Sequence, residues 1–245
     1  MKHQFALYYD SLKAVQSIES GSTLIIDDLD VIRRITSVLR LKPSQELILF
    51  DEQIHVAVTL QDMQKKKIVC TVHTVTTNKK LEPTIIALLP LLKREALEQA
   101  LYASVELGAS TVQPVVTNKS LQQWSPKEKE RYHRIMIAAA EQSKNFSLPK
   151  LADPADLTTA IEEQTDLKIF FDPRGTPLLN MMNEIKEKKP KSILFLVGPE
   201  GDLMIDEKSM LQEKNVTFCA LTPTVLRAYQ AFIVGLGALR SVATN

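Results

Sequence analysis

Two short stretches carry the residue types from which a ligand site could be built. The first is Leu196-Val197-Gly198-Pro199-Glu200-Gly201, which follows the apolar run Ile193–Val197 and precedes a helical pattern from about Asp206. The chain has only 7 glycines, so the pair Gly198 and Gly201 in one turn carries weight. Glycine lets backbone approach a ligand closely, and Pro199 stiffens the turn. The same spacing equally suits a plain strand-to-helix turn, because GxxG alone is a weak signal. The second stretch is Leu221-Thr222-Pro223-Thr224-Val225-Leu226-Arg227, between a β run over Val216–Leu221 and a helical pattern over Thr224–Val242. Thr222 or Thr224 suits the cap of that helix, and Pro223 its first turn. Arg227 would then be a cation at the positive end of the helix dipole, a position that favours an anionic partner. A solvated surface arginine is the competing reading.

The elements that must hold these stretches follow from periodicity. Thr84–Leu89, Thr111–Val116, Leu167–Phe171, Ile193–Val197 and Val216–Leu221 are short apolar strand patterns. They alternate with helical patterns over Leu92–Leu107, Lys127–Asn145, Leu179–Lys188, Asp206–Lys214 and Thr224–Val242. Continuous apolar strands between helices predict a parallel sheet covered on both faces, with ligands at the strands' carboxyl ends. The last helix is apolar on nearly every face from Ala231 to Leu239, which predicts burial in the core or against a second subunit.

Residues 1–75 read differently. Glu46–Phe50, Ile54–Val58 and Ile68–Val72 are strand patterns, and Val31–Leu41 is a helix ended by Lys42-Pro43. Short strands at this density predict a small barrel. The polar stretch Thr76–Lys80 is taken as the linker, so the domains are 1–75 and 76–245. Arg33, Arg34, Arg40 and Lys42 gather around the first helix, Lys93-Arg94 open the next, and Lys65-Lys66-Lys67 mark a hairpin tip. Singly each suits a solvated face; together they fit phosphate contacts.

Composition bounds the rest. Of the 245 residues 44% are hydrophobic and 24% charged, a globular balance, and the net charge of +1 leaves no global field to attract nucleic acid. Any RNA contact must be local. Cys70 and Cys219 lie far apart in apolar runs and read as half-buried reduced thiols of a cytoplasmic protein. His3, His55, His73 and His133 lack metal-ligand spacing, so no metal is expected. Trp124 reads as a packing anchor rather than a base-stacking platform.

Six motifs in order resemble one family. They are Val38-Leu39-Arg40-Leu41, Glu106-Leu107-Gly108-Ala109, Ala140-Glu141-Gln142-Ser143 with Leu148-Pro149, Asp172-Pro173-Arg174, Gly198-Pro199-Glu200-Gly201 and Val225-Leu226-Arg227. The chain is similar over nearly its whole length to the bacterial 16S ribosomal RNA uridine N3-methyltransferases of the SPOUT superfamily. The resemblance implies an N-terminal PUA-like RNA-binding barrel and a C-terminal α/β domain with a trefoil knot and cofactor site within about 165–245. It also implies a homodimer packed through the knotted domain, and 16S rRNA or the small ribosomal subunit as substrate. S-adenosylmethionine would lie among Phe171, Asp172, Pro173, Leu196, Val197, Gly198, Pro199, Glu200, Gly201, Leu221, Thr222, Val225 and Leu226. Arg227 would stabilise the developing uridine anion, with Glu200 or Asp202 as proton acceptor. Arg33, Arg34, Arg40, Lys42, Lys93 and Arg94 would hold RNA. The chain departs from the family at Asp202 and Thr222, each a glycine there, at Thr224, an arginine there, and at Tyr229, a glutamate there. A ribose 2′-O-methyltransferase of the same superfamily and a non-catalytic RNA-binding protein are the alternatives.

Overall fold

A computed structural model describes residues 4–14, 18–120 and 124–243, and His3 lies outside them. The chain divides into two compact units: Met1–Lys79 with Ala140–Ser147, and Lys80–Ala139 with Leu148–Asn245.

The first unit is built on a five-stranded sheet in the order β1-β3-β4-β5-β2. Its strands are β1 (Phe5–Tyr8), β2 (Thr23–Ile26), β3 (Glu46–Phe50), β4 (Ile54–Gln64) and β5 (Lys67–Thr77). All neighbours are antiparallel except β1 and β3. Alternation has its ordinary consequence here: Val56, Val58 and Leu60 of β4 and Ile68, Cys70 and Val72 of β5 all face the core. β1 and β2 are additional to the strands expected, and β5 runs through Thr77 into the stretch read as linker. The expected first helix is shorter and less regular. Asp28 Oδ1 caps α1 (Leu29–Arg33) by accepting from the Asp30 and Val31 amides. A π-helical turn over Arg34–Val38 follows, and the chain leaves through Arg40 at φ +54°. Val31, Ile32 and Ile35 cover the sheet's apolar face.

Ala140–Ser147 joins this unit by specific bonds, although its pattern continues a helix of the other. Glu141 accepts the Tyr8 amide at 2.9 Å and pairs with the Arg34 guanidinium. The Phe146 ring lies 4.7 Å from those of Phe50 and His55.

The second unit holds a seven-stranded sheet in the order β12-β10-β11-β6-β7-β8, with β9 also on β7. Every pair is parallel. In chain order come β6 (Thr84–Pro90), α2 (Arg94–Glu106), β7 (Thr111–Val116), α3 (Pro126–Ser143), β8 (Lys150–Leu151), β9 (Ala155–Asp156) and α4 (Leu157–Ala160). They are followed by β10 (Leu167–Pro177), α5 (Leu178–Lys188), β11 (Ser192–Val197), α6 (Ile205–Glu213), β12 (Thr217–Ala220) and α7 (Ala228–Ala243). Leu194 and Leu196 of β11 pack with Leu211 of α6 on one face. Phe195 meets Phe171 and Phe232 of α7 on the other, with centroids 5.8 and 5.2 Å apart. Both faces are therefore covered, as continuous apolar strands require.

Two glycines are demanded by close approach. A Cβ on Gly235 of α7 would lie 2.2 Å from the Phe171 ring, and one on Gly175 would lie 2.4 Å from the Phe218 backbone. The latter holds where β10 bulges out after Phe171 and rejoins β12 at Thr176. The strand is thus longer than the apolar run Leu167–Phe171 suggests. The last helix starts at Ala228, four residues later than Thr224, because residues 221–227 form an irregular loop.

Both cysteines are free and fully buried rather than half-buried. Desolvation pushes their thiols up, Cys70 to about 12 and Cys219 to about 11. Trp124 packs 5.2 Å from the buried Tyr132 ring. No helix among the described residues is long and apolar enough to cross a membrane, and no group of three His, Cys, Asp or Glu among them could hold a metal.

Candidate active site

The strand order decides where the chemistry gathers. β10 lies between β11 and β12, so the bulge in β10 after Phe171 and the segments after β11 and β12 are neighbours. They enclose a cavity of about 860 Å³, large enough for a nucleotide-sized ligand. Its wall includes Phe171, Asp172 and Pro173 at the bulge within β10, Val197 at the end of β11 with Gly198, Pro199 and Glu200 after it, and Leu221, Thr222, Val225 and Leu226 after β12. Arg227 and Asp202 also face it, as do Lys93, Glu95, Ala96 and Gln99 around the start of α2 and Ala228, Tyr229 and Ala231 of α7. Leu196 and Gly201 do not line it. Leu196 belongs to the buried core on the α6 face, because its Cβ points opposite to that of Val197. Gly201 is exposed, its carbonyl accepting from Lys119 Nζ.

The loop after β11 is held from several sides. Glu200 Oε1 accepts the Lys93 amide at 3.2 Å, satisfying a donor at the start of α2. Glu207 takes both the Met204 amide at 2.8 Å and the Asn118 amide at 2.9 Å, so it anchors the start of α6. Neither Glu200 nor Asp202 caps α6. Asp202, at φ +60°, accepts the Leu203 amide through Oδ1 and pairs with Lys208 through Oδ2.

Asp172 is the most buried charge on the wall, at 2% exposure. Burial by itself raises its carboxyl. Lys208, with the Arg174 amide and guanidinium, outweighs that and holds it below the usual carboxylate range. Lys208 was invisible to sequence reading: it sits among Asp206, Glu207 and Ser209, a setting that reads as a solvated helix face.

Arg227 stands at the N-cap of α7, where its carbonyl accepts the Ala231 amide at 2.9 Å. No threonine caps this helix; Thr222 Oγ1 donates instead to the Thr224 carbonyl at 2.7 Å. The Arg227 side chain is exposed on the cavity wall and makes no ion pair among the described residues. A cation without an acidic partner, beside a helix N-terminus, suits an anion formed in the cavity.

The basic residues divide. Arg33, Arg40 and Lys42 are exposed on the first unit, and Lys65 and Lys66 form the turn between β4 and β5. Arg34 is not available to a phosphate, because Glu141 neutralises it. On the second unit Lys93 lines the cavity, while exposed Arg94 lies 4.0 Å from Glu128.

An open parallel sheet with a cavity at its strand ends defines a small-molecule-binding α/β protein, and comparison narrows the class. Residues 79–240 match the RNA methyltransferase domain family, and the chain belongs to it. The chain is 26% identical to the ribosomal RNA small subunit methyltransferase E of Bacillus subtilis, over 91% of its length and 92% of that protein. Its fold matches that of the ribosomal RNA small subunit methyltransferase E of Neisseria gonorrhoeae bound to S-adenosyl methionine, with a TM-score of 0.83, 22% identity and 98% of both chains covered. A Legionella pneumophila methyltransferase in complex with the same cofactor matches with a TM-score of 0.83, 21% identity and 98% of both chains covered.

Proposed function

We propose that the protein methylates N3 of a uridine in 16S rRNA with S-adenosylmethionine as donor. The observation that carries this reading is the cavity shared by the bulge of β10 and the segments after β11 and β12, with Arg227 on its wall. The pocket fits the donor: apolar Leu221, Val225 and Leu226 suit a purine face, and Glu200 suits the cationic end. Gly198 leaves room for the Asp202 carboxylate, since a Cβ there would meet Asp202 Oδ1 at 3.0 Å. When bound, the cofactor supplies an electrophilic methyl group.

The chain's own residues supply position and charge. N3 of uridine must lose its proton before or during attack. Arg227 stabilises the resulting anion, which explains a cation at a helix N-terminus. Glu200, whose hydrogen bond to Lys93 is long, receives the proton; Asp202 is committed to Lys208. The base must leave its stack to enter the cavity. Arg33, Arg40 and Lys42 of the first unit and Lys93 and Arg94 of the second grip the RNA backbone. The alternation of apolar positions in the first sheet fits a PUA-like barrel, and the C-terminal unit fits the SPOUT arrangement with its trefoil knot. α7 leaves Val234 41% exposed, which suits homodimerisation. A ribosomal substrate puts the protein in the cytoplasm.

The test is in vitro methylation of 16S rRNA and of small subunits, followed by nucleoside mass spectrometry. N3-methyluridine is the expected product. A 2′-O-methylated product would point to ribose chemistry, and no heat of binding with S-adenosylmethionine would remove the cofactor assignment.

A further inference from the structure

Two carboxylates of the cavity wall are tied to one buried ammonium that the proposed chemistry leaves unused. Lys208 of α6 is 9% exposed, and its Nζ donates to Asp172 Oδ2 and to Asp202 Oδ2, each at 2.6 Å. The ammonium also sits 5.6 Å from the centroid of the Phe170 ring. Lys208 itself does not line the cavity, whereas both of its partners do. Asp172 opens the bulge of β10 and Asp202 closes the loop after β11, so one side chain from a third element joins two walls.

The arrangement is specific. A buried ammonium is costly unless its donors are satisfied, and here two of them meet carboxylates. Each carboxylate has its other oxygen fixed by backbone: Asp172 Oδ1 takes the Arg174 amide at 2.8 Å, and Asp202 Oδ1 takes the Leu203 amide at 2.8 Å. Any change in the Lys208 contacts is therefore passed to the backbone of both loops. Without the ammonium, two like charges would face each other across the wall, with only Arg174 left to offset them.

We propose that Lys208 is a positioning residue that, through Asp172 and Asp202, sets the spacing of the two loops and so the width of the cavity. The consequence for the cofactor rests on the reading of this cavity as the S-adenosylmethionine site; the latch itself does not.

The experiment uses the full chain with Lys208→Met, Lys208→Arg and Asp202→Asn. Asparagine tolerates the left-handed backbone of position 202 while removing the charge. Lys208→Met should raise the KM and Kd for S-adenosylmethionine about 10- to 100-fold, because only part of the cost of breaking a buried pair falls on the cavity walls. Turnover at saturating cofactor should stay within about threefold. Amide exchange should quicken in both 172–177 and 198–203 and stay unchanged in β7. Lys208→Arg should recover most of the affinity, and Asp202→Asn should weaken binding about fivefold, as loss of one more exposed arm of the latch.

Unchanged exchange in either loop of Lys208→Met would overturn the proposal, as would a fall in kcat with KM intact or a failure of arginine to rescue. Should Lys208→Met not fold, Asp202→Asn decides by the same readouts. If the wild-type chain binds no S-adenosylmethionine, the proposed function fails, and loop exchange alone decides the latch.

Discussion

The loops after β11 and β12 line the same cavity and are held in opposite ways. The first is tied by the Lys93 amide to Glu200, by Lys119 to the Gly201 carbonyl, and by Lys208 to Asp202. The segment from Leu221 to Arg227 is tied, among the described residues, only through the Thr222–Thr224 hydrogen bond and the first turn of α7. Val225 within it is 82% exposed. A wall fastened in advance leaves less to order when a cofactor binds. A wall with few ties can yield when a splayed base enters. The contrast separates a fastened wall from a yielding one within one pocket, and it can be broken.

The largest effect is expected on the loose side. Arg227→Ala should lower kcat about 10²- to 10³-fold, as removal of one anion-stabilising donor does elsewhere, with the Kd for S-adenosylmethionine within about threefold. Single-turnover methylation and calorimetry check this; an equal loss of cofactor affinity would make Arg227 a cofactor contact and not the stabiliser of the uridine anion. Glu200→Gln keeps an acceptor for the Lys93 amide but cannot take a proton, so kcat should fall about 10²-fold. Wild-type turnover would leave Glu200 as a tie and nothing more.

For Asp172, joined to the fastened loop through Lys208, the effect is on stability and depends on pH. Asp172 is held below its ordinary value, about 3.9 in an unfolded chain, so its stabilisation is complete above that pH and is lost as pH falls through the folded-state value. Asp172→Asn should cost about 2 kcal/mol at pH 7, and the gap from wild type should close below about pH 4. Urea melts across pH would show this, and a gap that ignored pH would deny the charge any role. The smallest change is Thr222→Ala, which removes a half-exposed bond inside the loose loop. The KM for S-adenosylmethionine should move by less than about threefold, and a tenfold rise would show that this loop is fastened through Thr222 after all.

Much of the second unit was legible because parallel strands are buried on both faces. Ile193–Val197 is an unbroken apolar run, Leu167–Phe171 is apolar but for Lys168, and the two pair directly in the sheet. The continuation of β10 to Pro177 was hidden, because Asp172-Pro173-Arg174 interrupts the apolar run that marks a strand. β1 was hidden for another reason: its four residues become a strand by pairing with Glu46–Phe50, far along the chain. The start of α7 at Ala228 overrode two plausible threonine caps, since residues 221–227 run along the cavity instead of coiling. Arg34 looked like its neighbours in the basic cluster, and only Glu141, 107 residues away, takes it out.

By itself the sequence determined the alternation of strands and helices, the apolar faces, and the ordered motifs that mark the three cavity segments. These are local properties, written in the period of hydrophobic residues and the placement of scarce glycines. Tertiary structure decided which segments became neighbours, which carboxylate met Lys208, and which arginine kept its charge free. The physical reason is range. Periodicity acts over a few residues, whereas the order β12-β10-β11 and the burial of one lysine between two aspartates depend on contacts between distant parts of the chain.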